Sequence, residues 1–311
     1  MSDPYFDDED AEDEGSFTLD WLDLREPFDA FARSADLAAA LIARLPARPR
    51  LLDLGAGTGS LLRWLAPRIG RAQVWTLVDA DRELLEAAFD TIADRAEQVG
   101  YTVTSPNRRT LLVHAPGGAW RVETLVADLA EAPANLPLQN ADAVLSSALC
   151  DLVSRAWVER MAARLRLPFY AALCVDGRES FAPPHPMDAH VAAGFRRDQA
   201  RDKGFRGQAL GPRAPAVIAE VFAARGFAVE AAPSDWAIRA RGPVQHPTLR
   251  DSAGRFLTEL VLGHAEAAGR QDRRGDARIE AWMDARLDQV AGKRLAARIG
   301  HRDVLALPTP R

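Results

Sequence analysis

The chain has 311 residues, 48% of them hydrophobic and 27% charged, enough to bury a large core in one domain or two modest ones. Its formal net charge is −5. It lacks the dense basic patch of a nucleic-acid binder, although Arg196, Arg197 and Arg201 cluster locally, and no apolar run approaches the roughly 20 residues that span a bilayer.

Residues 3–14, DPYFDDEDAEDE, hold eight acids and no base, so removing them from a net charge of −5 leaves the body at +3. A disordered, solubilising tail over 1–16 is expected, with partner docking as the alternative. The acidic start is unlike a secretory signal, which points to a cytoplasmic protein. The abundance of alanine and arginine suggests a GC-rich bacterial genome. Cys150 and Cys174 both lie in apolar stretches and read as small buried hydrophobes. With no C-x-x-C and no H-E-x-x-H, no metal site is expected.

After the tail, FTLDWLDLREPFDAFARSADLAAALIARL carries apolar residues at helical spacing, with Pro27 placed as in a first helical turn. Arg50 to Asp53 predicts a short buried strand, Thr58 to Ala66 a helix, 72–80 a second strand, and DRELLEAAFDTIADRAEQVG an amphipathic helix closed by Gly100. Two β-like runs around Pro116-Gly117-Gly118 predict a hairpin. A strand over 141–149, the helix RAWVERMAARL and the strand PFYAALCV follow. Strands alternating with helices predict a parallel sheet covered on both faces.

Residues 176–212 break that rhythm with Pro, Gly, His and charges, around a helix from about Asp188 to Asp202. A helix ending at Gly226, a strand interrupted at Pro233, two helices within 246–295 and a short strand HRDVLALP complete the chain. With no repeat and no linker, residues 17–311 read as one domain carrying two insertions, 176–212 and 246–295.

The stretch LLDLGAGTGS carries the chemistry. A dinucleotide turn wants G-x-G-x-x-G, but Gly55, Gly57 and Gly59 give G-x-G-x-G. A phosphate loop wants Lys before Ser or Thr, and here Ser60 follows Gly59 directly. Asp53, two residues before the first glycine, opposes a pyrophosphate and welcomes a cation. These features point to a positively charged nucleoside without phosphate.

The same stretch resembles the first motif of the class I S-adenosylmethionine-dependent methyltransferases. Asp79 in LVDAD, with Ala80 beside it, resembles the acid that grips the ribose hydroxyls, and a carboxylate suits that task by accepting from both. Asp81 is left to cap the next helix. LVADL resembles the motif in which Asp128 meets the adenine amino group and Leu129 the ring. ADAVLSSAL resembles the fourth strand, where Ser146 and Ser147 would line the site beside the methyl. The resemblance implies a Rossmann-like, doubly wound, mostly parallel α/β sheet with an antiparallel last strand. It implies S-adenosyl-L-methionine as cofactor, held by Asp53, Gly55, Ala56, Gly57, Gly59, Asp79, Ala80, Asp128, Leu129 and Ser146. Arg33 or Arg25, in the leading helix, would pair with the methionyl carboxylate. Arg33 is the expected one, and Arg25 reads as a surface residue.

In place of the Asn/Asp-Pro-Pro-aromatic run used on nucleic-acid bases, this chain has Ser146-Ser147-Ala148-Leu149-Cys150-Asp151. That favours a small-molecule acceptor touched by Ser147 and Asp151. The insertion 176–212 is the expected substrate wall, with Asp188 and Gln199 facing the acceptor. His185, fixed between prolines, is the candidate general base, since histidine titrates near neutrality. The expected activity is methyl transfer (EC 2.1.1) to an oxygen or nitrogen nucleophile. The alternatives are a noncatalytic binder of the same fold, a protein or RNA methyltransferase, and a nicotinamide-dependent oxidoreductase.

Overall fold

The computed structural model describes residues 18–239, 247–272 and 276–309. The acidic segment 1–16 and residue 246, where the second insertion was expected to begin, lie outside the described residues.

Two helices lead, α1 (Leu19–Ala32) and α2 (Ala35–Ile42). Thr18 caps the first, accepting from Trp21 N–H, and Ser34 caps the second, accepting from Leu37 N–H. Pro27 lies inside α1 rather than opening a helix. The helix boundary falls at Ser34, whose own N–H donates to Asp303 at 2.8 Å.

The alternating body follows as β1 (Arg50–Leu54), α3 (Ser60–Ile69), β2 (Gln73–Asp79), α4 (Arg82–Gln98), β3 (Thr102–Asn107), β4 (Thr110–Ala115) and β5 (Gly118–Val126). Then come β6 (Ala143–Ser147), α5 (Arg155–Arg164), β7 (Phe169–Ala182), α6 (Asp188–Gln199) and α7 (Ala214–Ala223). The chain continues through β8 (Phe227–Pro233), β9 (Trp236–Arg239), α8 (Pro247–Gln271), α9 (Asp276–Ala291) and β10 (Ala296–Pro308).

The sheet runs β3-β4-β5-β2-β1-β6-β7-β10-β8, with β9 pairing β10. Five central strands are mutually parallel, and β10 is antiparallel to β7, β8 and β9. This is the doubly wound, mostly parallel sheet with an antiparallel last strand. The polar, exposed β3 is an addition that TVTSPN did not signal. It survives as an edge strand, where Pro106 needs no ladder partner.

One apolar core lies between the sheet and α2, α3 and α4, and the other packs α5 and α7 on the opposite face. Burial of these faces drives the fold, at about 25 cal/mol per Å² of apolar surface removed from water. A third core corrects the expected insertion boundaries. Residues 176–182, expected in the substrate wall, continue β7 as strand, and β10 begins at Ala296 to pair with them. These strand ends and β9 carry Phe181, Trp236, Ile238, Ala297 and Ile299, against which α1, α6, α8 and α9 pack. The two insertions therefore form one cap. Helices α6 and α8 approach closely at Gly194, where a Cβ would stand 2.8 Å from Ala268 Cα.

Candidate functional site

The glycine turn opens at the C-terminal end of β1, where a doubly wound sheet leaves room for a ligand. Gly55, Gly57 and Gly59 all adopt left-handed backbone, with φ of 64°, 51° and 82°, which glycine enters without the Cβ penalty of other residues. The alternation brings the chain round tightly enough that Gly57 N–H donates to Asp79 at 2.8 Å. Helix α1 lies over this turn. Its Leu22 would be 3.4 Å from a Cβ on Gly57, Glu26 pairs with Arg63, and Ala30 O accepts from Trp64 Nε1 at 3.0 Å.

Beneath α1 is a cavity of about 890 Å³, at the large end of the ~300–1,000 Å³ range of small-molecule sites. Asp53, Gly55, Ala56, Gly57, Asp79, Ala80, Asp128, Leu129 and Ser147 all line it. Gly59 instead caps α3 from behind, against Ile92. Ser146 is buried behind the wall, its hydroxyl 3.4 Å from Cys150 Sγ. Asp81 caps α4 by accepting from Glu83 and Leu84 N–H and also lines the cavity.

Two groups of opposite charge dominate the electrostatics. Both Asp53 carboxylate oxygens are buried without a hydrogen-bond partner. Burial pushes this carboxyl up to about 7, despite the opposing Arg33 charge and with the Asp79 charge adding to the rise. Arg33, also buried, donates from Nη2 to Ser60 and Ser147 at 3.0 Å each, while its Nε and Nη1 have no partner. Unpartnered buried polar atoms are costly, commonly ~1–3 kcal/mol each. A ligand carrying both an ammonium and a carboxylate would relieve both. Asp79 is also raised by burial, opposed by the Gly57 and Asp81 N–H groups it accepts from.

The far side of the cavity was less visible in the sequence. Arg25 is buried, not a surface residue: its Nε meets Asp29 Oδ2 at 3.0 Å, and its guanidinium lies 5.1 Å from the Trp236 ring centroid. Asp29 also accepts from Trp236 Nε1 at 2.9 Å. Arg25, Asp29, Ala148, Leu149 and Leu152 also line the cavity, as do Lys203 and Phe205. Ala148 has φ of 54°, a left-handed conformation disfavoured for alanine and of the kind that collects at functional sites. Asp151 lies between Leu149 and Leu152 in the chain but is not itself among the lining residues. Its Oδ1 is buried without a partner, and burial raises its carboxyl to about 6 against the Arg25 charge.

Four expected substrate-side residues, Asp151, His185, Asp188 and Gln199, are not among those lining the cavity. His185 accepts from Met187 N–H through Nδ1, and its own N–H donates to Asp188. Asp188 is held by Arg286 and by Trp282 Nε1, so it ties α6 to α9. Gln199 lies against Gly211. The structure thus corrects His185, Asp188 and Gln199 to parts of the cap's framework. Among the described residues no group of three or more His, Cys, Asp or Glu would hold a metal, and no helix is long and apolar enough to cross a membrane.

No family model matches the chain. A stretch of 54 residues is 50% identical to the biotin biosynthesis bifunctional protein BioCD of Bordetella avium, covering 17% of this chain and 11% of that protein. Among solved structures, an S-adenosylmethionine-dependent methyltransferase from Thiobacillus denitrificans, in complex with S-adenosylhomocysteine, aligns over 94% of this chain and 99% of its own at 16% identity and a TM-score of 0.42. The cyclopropane synthase MmaA2 from Mycobacterium tuberculosis aligns over 93% and 94% at 14% identity and a TM-score of 0.43. At this level of overlap neither protein lends its chemistry to this chain. By its strand order and its glycine turn, the chain has a Rossmann-like, doubly wound, mostly parallel α/β fold.

Proposed function

We propose that this protein transfers a methyl group from S-adenosyl-L-methionine to an oxygen or nitrogen of a small-molecule acceptor. The observation that carries the reading is Asp53, buried in the cavity wall with no hydrogen-bond partner, near the buried Arg33, whose Nε and Nη1 have none, beside a phosphate-averse glycine turn. Arg33 Nε and Nη1 would take the methionyl carboxylate and Asp53 the methionyl ammonium. Asp79 would accept from the ribose hydroxyls, Asp128 from the adenine amino group, and Leu129 would pack on the base. When bound, the cofactor supplies an electrophilic methyl group on a sulfonium.

The chain's own work is to orient and to exclude water. Helix α1 roofs part of the cavity with Leu22, Arg25 and Asp29 and shields that part from solvent. Ser147, fixed by Arg33, marks the boundary between the cofactor end and the acceptor end. Asp151, next in the chain to the lining residue Leu152 though not itself in the lining, replaces His185 in this reading as the group that takes the acceptor's proton. Its carboxyl sits near 6, ionised at neutral pH yet basic enough to act, as general-base catalysis requires.

The test is transfer of tritium from methyl-labelled S-adenosylmethionine into a desalted small-molecule extract, separated from protein and RNA. Label entering a small molecule, and lost in Asp151→Asn, supports the reading. Label entering only protein or RNA overturns the acceptor class, and cofactor binding with no transfer selects a noncatalytic binder.

A further inference from the structure

The loop after α6 does not stay with the cap. It returns to the base end of the cavity, where Lys203, Gly204 and Phe205 join Asp128, Leu129 and Ala130 in the lining. Three of its attachments lie on that side. Ser154 Oγ donates to Phe205 O at 2.9 Å, Arg206 pairs with Glu131, and Phe205 packs against the second core.

The loop is also pre-shaped. The Asp202 carboxylate accepts from Gly204 and Gly207 N–H at 2.9 Å each, and Arg206 is held at φ 58°. Such a left-handed non-glycine residue persists where its surroundings fix it.

Trp157 links the two sides of this end. Its Nε1 donates to Leu129 O at 2.7 Å, and its ring meets Phe205 edge-on, at 6.4 Å between centroids and 90° between planes. One buried side chain thus sets both Leu129 and Phe205. Two rigid apolar walls at the cavity edge suit a flat heteroaromatic base, which stacks on aromatic rings through either face.

We infer that Phe205 forms the second wall of the adenine slot, so that the insertion expected to meet only the acceptor also grips the cofactor. The inference rests on the proposed function and names a residue that the glycine, ribose and adenine motifs do not contain. Because Lys203 of the same loop pairs with Asp198 of α6 at 3.6 Å, and Asp198 also binds Arg270 of α8 at 3.2 Å, the slot is attached to the cap.

The test is calorimetric titration of wild type, Phe205→Ala and Phe205→Trp with two probes, S-adenosylhomocysteine and adenosine, with melting temperatures measured alongside. Phe205→Ala should weaken both probes by the same factor, about tenfold, and Phe205→Trp should stay within about threefold of wild type. A merely structural Phe205 would lower the melting temperature of the alanine variant and leave adenosine affinity unchanged, which overturns the inference. Loss of S-adenosylhomocysteine affinity without loss of adenosine affinity also overturns it. If the wild type binds neither probe, the proposed function falls and the inference falls with it.

Discussion

Replacing Asp53 by Asn should stabilise the ligand-free protein while weakening its hold on the cofactor. In the unfolded chain this carboxyl ionises near 3.8, and in the folded protein near 7. Folding therefore takes up a proton between those values. The contribution is complete below about pH 4 and is lost as pH rises through 7. At about 1.4 kcal/mol per pH unit, the loss by pH 8 is on the order of 4 kcal/mol. The amide that replaces the carboxyl cannot ionise, so Asp53→Asn should melt roughly 5 °C above wild type at pH 8, given the unfolding entropy of a chain this size, and the gap should close toward pH 4. Asp79 and Asp151 also add to the wild-type slope; the difference between the two proteins isolates Asp53. Binding should move the opposite way. An ammonium placed against Asp53 restores its charge, so losing the carboxylate should cost S-adenosylhomocysteine about 10- to 100-fold in affinity, the value of a charged hydrogen bond. Thermal melts across pH 4–8 and calorimetry at pH 8 read both effects. A melting-temperature gap that ignores pH, or an asparagine variant less stable at pH 8, would refute the reasoning.

Arg33→Met should weaken S-adenosylhomocysteine by at least about tenfold and leave 5′-methylthioadenosine, which lacks the amino-acid end, within about twofold; calorimetry with both ligands separates the two ends of the site. Asp303→Ala removes the acceptor of Ser34 N–H, Tyr170 Oη–H and Leu173 N–H, at 2.8, 2.7 and 2.9 Å. It should cost about 3 kcal/mol in urea unfolding, because two buried donors and one half-buried donor lose their partner. Gly194→Ala pushes a methyl against Ala268 and should destabilise by about 1–3 kcal/mol, with faster hydrogen exchange in α6 and α8 than in β1 and β2.

What could be read in the sequence was local. The β1 run, the left-handed glycines, Asp79 at the end of β2 and the Asp81 cap each depend on neighbours within a few residues, and the sequence states those directly. The interrupted strand at Pro233 was also legible; it resolves into β8 and β9, which pair with different halves of β10. What was hidden depends on distant partners. Arg25 is ordinary on a helix surface until Asp29 and Trp236 enclose it, and Trp236 lies more than 200 positions away. His185 looked poised because prolines flank it, yet its ring and N–H are consumed in starting α6. Asp188 looked like a substrate ligand because nothing nearby announced Arg286. The strand character of 176–182 was hidden because these polar residues are stabilised by pairing with Ala296–Ile299, not by an apolar pattern of their own.

The central claim is that the glycine turn, Asp53, Arg33 and Asp79 together bind S-adenosylmethionine. Calorimetric titration of the intact protein with S-adenosylhomocysteine, run beside Asp79→Ala and with NADPH as the competing ligand, tests it most directly. The account predicts one site per chain, an affinity in the micromolar range or tighter, no heat from NADPH, and loss of binding in Asp79→Ala. Binding of NADPH in place of S-adenosylhomocysteine, or an Asp79→Ala variant that binds as wild type does, would contradict it.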